Sequence, residues 1–312
     1  MQNLDGQLIT VVGGGGFLGR YVVQRLLARG ARVRVAQREP RAATFLKPLG
    51  GLGQTQFVAC DVRDAASVAR AVQGSDAVIN LVGAFADMQA VQADGAGHVA
   101  AAAKAASVAV LVHVSAIGAD RQSASAYGRS KGDGEAAVRA AFADAAIVRP
   151  SIIFGREDQF INRFAAMIRM APVVPVIAPD ARFQPVYVGD VADAVVAALA
   201  PQAAGHLYEV GGPEVLTMRA LLRWIADAIG RSPLFVEVPD VVASALASGF
   251  GWAPGAPITK DQWLMLQHDN VVADGAAGLA QLGITPTSLG SVSDSWLVQY
   301  RRHGRFAVKT PA

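Results

Sequence analysis

The stretch Val11-Val12-Gly13-Gly14-Gly15-Gly16-Phe17-Leu18-Gly19 decides the fold. Before it, Gln7–Val12 is an apolar run of the buried-strand type. After it, Gly16–Ala28 places Phe17, Tyr21, Val22, Leu26 and Leu27 at helical spacing, which gives one apolar face. Gly13, Gly16 and Gly19 stand in a G-x-x-G-x-x-G pattern. Without Cβ atoms the turn is tight, and backbone N–H groups can approach a pyrophosphate. The helix start adds unpaired N–H donors and the positive end of its dipole. Gly19, one turn in, lets helix and strand pack closely. A glycine pattern alone is weak, but this one has the preceding strand and following helix that the mechanism needs. Phe17, Leu18 and Arg20 are therefore expected beside a bound dinucleotide.

Further strands are expected at Arg32–Ala36, Gln56–Ala59, Asp76–Val82 and Val108–Val114. Ala-rich, helix-prone segments lie around Ala65–Val72 and Ala86–Ala106. Strands alternating with helices predict an α/β fold, a Rossmann-type doubly wound parallel sheet, over residues 1–150. After about residue 150 the rhythm changes, and Pro172, Pro175, Pro179 and Pro185 break regular structure. Val191–Leu199 reads as a helix behind Asp190 as N-cap, and His206–Val210 as a strand ending at Gly211-Gly212-Pro213. Thr217 is expected to cap a helix running to Ile229. The region 151–312 is thus expected to return elements to the core at about 183–212. The rest would form a small C-terminal cap on the carboxyl edge of the sheet, where ligands bind in such folds.

The bulk numbers exclude several classes. A hydrophobic fraction of 52% with 17% charged residues makes a well-cored protein. A net charge of only +3 gives no general case for nucleic acid. The single cysteine, Cys60, excludes an intrachain disulfide framework and a multi-cysteine metal site, and no metal is expected. No run of 18 apolar residues suggests a membrane span. No charged n-region with a following apolar stretch precedes the first strand, so no signal peptide is expected. The default compartment is then cytoplasmic, with the cytoplasmic face of an inner membrane as the place for a docked form.

The second strand ends Val35-Ala36-Gln37-Arg38, and no carboxylate stands there before Glu39. NAD-binding units place Asp or Glu about 20 residues beyond the glycines to hold both ribose hydroxyls. Here Arg38, with Arg20, is placed to pair with a 2′-phosphate, so NADP(H) is expected over NAD(H). In Cys60-Asp61-Val62-Arg63-Asp64, Asp61 is either an acceptor for the adenine amino group, with Val62 beside it, or a loop and helix-cap residue. Asn80-Leu81-Val82-Gly83 closes the fourth strand, and Gly83 allows close approach to the cofactor.

Tyr127-Gly128-Arg129-Ser130-Lys131 is a Y-x-x-x-K, whose ends share a helix face. A phenol with pKa near 10 is a poor base at neutral pH. A nearby ammonium and the positive charge of a bound cofactor are expected to lower it and favour the phenolate, and the same lysine can hold the nicotinamide ribose. Ser115, at the end of the fifth strand, can hold a substrate carbonyl oxygen while Tyr127 gives or takes the proton.

Together these residues resemble the extended and atypical short-chain dehydrogenase/reductase superfamily over nearly the whole chain. The glycine loop, Asp61, Ser115, Tyr127 and Lys131 match its pattern, as do Arg149-Pro150, Tyr187 to Asp190 and Gly211-Gly212-Pro213. The resemblance adds Pro150 to the expected cofactor contacts. Gly16 to Val23, Ile152 to Asp158 and Gln184 to Val191 are similar to the accessory, dehydrogenase-like subunit of respiratory complex I and its bacterial relatives. That resemblance implies an NADP(H)-binding protein held in, or assembling, the complex. Its members often lack part of the catalytic set, whereas this chain keeps all three residues. Two alternatives stay open. One is a free-standing reductase, epimerase or dehydratase on a small substrate such as a nucleotide sugar. The other is a non-catalytic module that a bound nucleotide only rigidifies.

The C-terminal third carries Val241, Val242, Leu246, Phe250, Trp252, Trp263, Leu264 and Leu266. Trp296 and Tyr300 follow, then Arg301, Arg302, Arg305 and Lys309. Ala247 to Pro257 is poor in regular-structure signals yet holds two large aromatics. This region and the basic tail are read as a face docking on a membrane-associated partner or a membrane surface.

Overall fold

Leu8–Val12 is Leu-Ile-Thr-Val-Val, and its last four residues are buried. A strand covered on both faces reads as such a continuous β-branched run. The computed structural model describes residues 3–250, 258–302 and 304, the side chain of Phe250 excepted. In it, seven strands form one parallel sheet: β1 (Leu8–Val12), β2 (Arg32–Gln37), β3 (Thr55–Ala59), β4 (Ala77–Asn80), β5 (Val110–Val114), β6 (Ala146–Pro150) and β7 (Leu207–Val210). Their order across the sheet is β7-β6-β5-β4-β1-β2-β3. The chain crosses over between β1 and β4, so the two strands' ends diverge at a switch point, the place where such sheets open a crevice. The doubly wound fold expected from the alternation of elements is the one observed.

Five helices cover the sheet: α1 (Phe17–Ala28), α2 (Ala65–Val72), α3 (Gly95–Ala105), α4 (Ala126–Ala141) and α5 (Val188–Ala197). Val22, Val23 and Leu26 of α1 are fully buried, as are Val191 and Val195 of α5, and Arg25 pairs with Asp193 between the two helices at 3.0 Å. On another side Val12, Val68, Val78, Val99, Leu111 and Val138 join β1, α2, β4, α3, β5 and α4 in one apolar cluster. Two caps fix where helices begin. Asp64 accepts from Ala66 N, and Ser125 accepts from Gly128 N at 2.9 Å.

Three local expectations need correction. Asp190 is not an N-cap: α5 already begins at Val188, and Asp190 lies in its first turn. The expected helix 86–106 starts as a π-helix, Gln89–Asp94, before continuing as α3. A 3-10 helix, Pro40–Leu49, follows β2 where no element was expected.

The chain divides into two units. The first comprises Met1–Pro150, Val188–Val210 and Ala273–Thr285, and the second Ser151–Tyr187, Gly211–Val272 and Pro286–Ala312. The second unit has its own core, built on Phe154, Ile161, Val174, Leu221, Leu222 and Leu297. Thr217 caps Met218–Ala228 as expected, accepting from Ala220 N at 3.1 Å. The partner-face expectation is corrected in part. Trp296 is a core residue at 4% exposure, whereas Val241 and Val242 stand exposed at 81% and 47%. Trp263, Leu264 and Leu266 are half-buried. The Phe250 side chain, Trp252, Arg305 and Lys309 lie outside the described residues. Among the described residues, no helix is long and apolar enough to cross a membrane, and no cluster of His, Cys, Asp or Glu forms a metal site.

Candidate functional site

The glycine turn leaves β1 with Gly13 at φ +82°, a conformation that favours glycine. A Cβ there would lie 3.4 Å from a Val82 methyl carbon and 3.5 Å from the Leu81 carbonyl carbon, so the turn sits directly against the end of β4. At Gly19 a Cβ would lie 2.5 Å from Gly14 O and 2.6 Å from Gly13 O. Backbone meets backbone there, and only glycine fits. Gly16 is the N-cap of α1 and offers no side chain to its first-turn N–H groups. That leaves them for an anion. Phe17 is half-buried and packs edge-on to Tyr21, while Leu18 is buried. The cradle fits a pyrophosphate.

At the end of β2, Gln37 reaches back over the turn. Its Oε1 accepts the Gly15 N–H at 3.0 Å and its Nε2 donates to Glu39 O at 2.7 Å. Arg38 is exposed. Arg20 lies with its guanidinium carbon 4.8 Å from the centre of the Phe45 ring, on the 3-10 helix that follows β2. Asp61 is already engaged: the Arg63 guanidinium binds both its oxygens, the shortest contact being 2.7 Å, and holds its carboxyl down at about 2. Arg63 also reaches Asp87 at 3.5 Å. Val62 is buried, and its carbonyl is within 2.8 Å of His98 Nδ1. The helix cap in this segment is Asp64.

Ser115, Tyr127 and Lys131 are brought to the carboxyl ends of β4 and β5. Ser115 is 3% exposed, and its Oγ has no hydrogen-bond partner among the described residues. Lys131 is 4% exposed, and its Nζ donates to Val114 O at 3.4 Å. That nitrogen lies 6.0 Å from the centre of the Tyr127 ring and 3.7 Å from where a Cβ at Gly83 would sit. Burial lowers Lys131 to about 8, against the opposing pull of Glu135. Tyr127 departs from the sequence expectation. In the protein alone burial dominates, and the phenol is pushed up to about 12. Pro150, buried at the end of β6, accepts the Ile117 N–H at 3.1 Å and so anchors the loop after Ser115.

Four residues that sequence reasoning missed complete the site. Asn80 and His113 face each other across β4 and β5, with Asn80 Nδ2 3.2 Å from His113 Nδ1. Asn80 Oδ1 accepts the Val82 N–H at 3.2 Å, so its amide nitrogen is the group turned to the ring. His113 Nδ1 is therefore the acceptor, and the proton sits on Nε2, which has no partner among the described residues. Burial, then the Lys131 charge, hold this imidazole down at about 3, so it is neutral. Gln92, in the π-helix, donates to Ser130 Oγ at 3.0 Å and turns toward Gly83 an Oε1 that has no partner among the described residues. Phe85, 71% exposed, stacks on Tyr127 with centroids 5.1 Å apart and planes 19° apart. The available signal was polarity in the wrong place: Asn80 ends, and His113 interrupts, a strand that is otherwise apolar.

The sheet order, the glycine turn at the switch point and the Ser-Tyr-Lys trio at the strand ends define a Rossmann-type protein of the short-chain dehydrogenase/reductase class. The comparisons narrow this. The pattern of the NAD dependent epimerase/dehydratase family matches residues 9–211, and the chain belongs to that family. It is 36% identical over 311 residues to NADH dehydrogenase (ubiquinone) 1 alpha subcomplex subunit 9, mitochondrial, of Mus musculus, covering 96% of this chain and 82% of that one. The Arabidopsis thaliana protein of the same name is 33% identical over 97% of this chain and 80% of its own. Among solved structures, a dTDP-glucose 4,6-dehydratase from Streptomyces venezuelae with NAD and DAU bound superposes with a TM-score of 0.71 at 21% identity, covering 94% and 97% of the two chains. The cytoplasmic location expected from the sequence is corrected by these relatives, which are mitochondrial proteins by name.

Proposed function

We propose that the chain binds NADP(H) in the glycine turn of its first unit and serves as an accessory subunit of a respiratory complex I type assembly, with hydride-transfer chemistry retained. One observation carries this reading. Ser115, Tyr127 and Lys131 occur together at the carboxyl ends of β4 and β5 in a chain 36% identical along 96% of its length to a complex I alpha subcomplex subunit. The compartment that goes with it is that of the relatives, the mitochondrion.

The backbone of Gly13 to Gly19 and the start of α1 would hold the pyrophosphate. Leu81, Val82 and Gly83 would line the nicotinamide half, with Lys131 on its ribose. Support for the 2′-phosphate comes from the end of β2, where Gln37 is neutral, Arg38 is an exposed cation and no carboxylate stands before Glu39. A bound nicotinamide would supply or accept the hydride. This chain's residues handle the oxygen and its proton. Ser115 Oγ holds the carbonyl oxygen. Tyr127, protonated at neutral pH because burial raises it to about 12, gives its hydroxyl proton to that oxygen. Lys131, lowered to about 8, is the group from which that proton is replaced. The arrangement favours reduction over oxidation, since the phenol starts as a donor. Residues 1–150 would form the cofactor domain, and the remaining region would face substrate or partner.

A second reading, a free-standing reductase, is favoured by the trio itself, since an accessory role needs none of the three residues. Both readings are tested on the purified protein. Mass spectrometry of the released nucleotide should find NADP, and pull-down from native membranes should recover respiratory subunits. Loss of nicotinamide absorbance on a carbonyl panel, abolished in Tyr127→Phe, would assign turnover. Absence of any nicotinamide nucleotide, with no binding of added NADPH, would overturn the proposal.

A further inference from the structure

We propose that the second unit carries a docking surface for an anionic phospholipid membrane, made of an apolar sheet face beside an arginine-lined pocket. The inference rests on the second unit alone and does not depend on nucleotide binding.

Val173–Val176 and Leu234–Glu237 pair in parallel, with Leu234 opposite Val173 and Val236 opposite Pro175. Side chains alternate between faces along a strand. Val174 and Val176 turn inward and are fully buried in the core. The other row turns outward: Val173 is 49% exposed, Leu234 64% and Val236 45%, with Pro175 also exposed. This row holds no charge. Met170, just before the first strand, is 79% exposed.

A pocket of about 310 Å³ opens where the two strands begin. It is lined by the segments Met170 to Pro172 and Arg231 to Pro233, with Arg169 and Ile168. Pro172 and Pro233 directly precede Val173 and Leu234, so the pocket adjoins the apolar row. Its lining contains two arginines and no carboxylate. The Arg231 Nε–H is buried and has no partner among the described residues. Tyr300 and Arg301 lie close by. The Arg169 guanidinium lies 5.7 Å from the centre of the Tyr300 ring, and Arg301 donates to Ala228 O, close before Arg231 in sequence.

An uncharged row alone would suit any apolar partner. An uncharged row ending at two guanidinium groups in a pocket lined by no carboxylate suits a surface that offers hydrocarbon and phosphate side by side. Guanidinium N–H groups match phosphate oxygens, and a buried donor left unpaired is costly until an acceptor arrives. Basic groups at such a surface are drawn by the negative leaflet potential, and salt screens that attraction.

The test is co-sedimentation of the full chain with vesicles of phosphatidylglycerol or of phosphatidylcholine. The samples are wild type, R169Q/R231Q and L234S/V236S, each checked for folding by thermal melting. Wild type should pellet with phosphatidylglycerol at low salt and be released at high salt. R169Q/R231Q should bind roughly 25- to 30-fold more weakly, from roughly 1 kcal/mol per arginine at 1.4 kcal/mol per tenfold. L234S/V236S should lose binding to a similar degree. If the serine pair does not fold, the glutamine pair decides alone. No pelleting, equal pelleting with phosphatidylcholine, or unchanged binding in the variants would overturn the proposal. So would displacement by inorganic phosphate at equal phosphorus concentration, which marks a free-anion site, or pelleting without vesicles, which marks self-association.

Discussion

Lys131 carries its charge where burial opposes it, and this sets a pH dependence that can be measured. Its folded-state value is lowered from 10.5 to about 8, so between those values the unfolded chain binds a proton that the folded chain does not. Stability from this group is therefore lowest below pH 8 and rises as pH climbs to 10.5. Urea unfolding at both limits should show that rise in wild type and a flatter profile in Lys131→Met. An equal slope in both proteins would mean that Lys131 is not desolvated. Arg38 makes the second residue-scale prediction. If it pairs with a 2′-phosphate, Arg38→Ala should weaken NADPH by about 1.5–3 kcal/mol, the range for a charge-assisted hydrogen bond, and leave NADH unchanged. Calorimetry on both cofactors decides it. The two arginines behind the cofactor reading differ in the structure, since Arg38 is exposed while Arg20 packs on Phe45. The sequence could place both near the end of β2 but could not show that an element absent from its pattern, Pro40–Leu49, would supply a ring for one of them.

The elements that hold the site were legible to different depths. The strand–glycine–helix unit was readable because each residue type has one physical use there. Gly19 shows how tight the fit is: a methyl group would meet two carbonyl oxygens at 2.5 and 2.6 Å. Gly19→Ala should cost about 1–3 kcal/mol in urea unfolding, as overpacking does, and should weaken nucleotide binding further by displacing the turn. Stability and affinity unchanged from wild type would contradict that geometry. The helix α4, which presents Tyr127 and Lys131, is tied to the sheet by charge. Arg149 of β6 binds Glu135 of α4 through two contacts of 2.7 Å and reaches Glu209 of β7 at 3.3 Å. Glu135 is buried, so Glu135→Ala would leave Arg149 with only its longer Glu209 contact as an ion pair and should cost up to about 3–5 kcal/mol, read from a denaturant midpoint. None of this was legible. The three residues are far apart in sequence, and only the strand order β5-β6-β7 makes them neighbours. The same holds for Asn80 with His113, and the π-helix holding Gln92 left no mark in an Ala-rich stretch.

At the scale of the whole chain, the sequence gives a strong account of the first unit and a poor one of the second. The first repeats one supersecondary pattern of apolar strand and helix, opened by the glycine turn after β1. The second is built from short strands and helices joined through prolines, and its strand pairs are too short to leave a period. Its exposed row at Val173, Pro175, Leu234 and Val236 has no signature distinguishable from core until the register is known. The basic tail and its aromatics were read as one face, yet Trp296 packs inward while Tyr300 stays half-buried beside Arg169. The central claim concerns the first unit, that this chain is an NADP(H)-binding protein. A nucleotide that binds only the folded chain stabilises it by about 2.7 kcal/mol at one hundred times its dissociation constant. Thermal melting will therefore show binding, and calorimetry will show preference. The most direct measurement is calorimetric titration of the nucleotide-free protein with NADPH and with NADH. The account predicts binding of both, with NADPH at least about tenfold tighter. Equal affinities, or tighter binding of NADH, would contradict it.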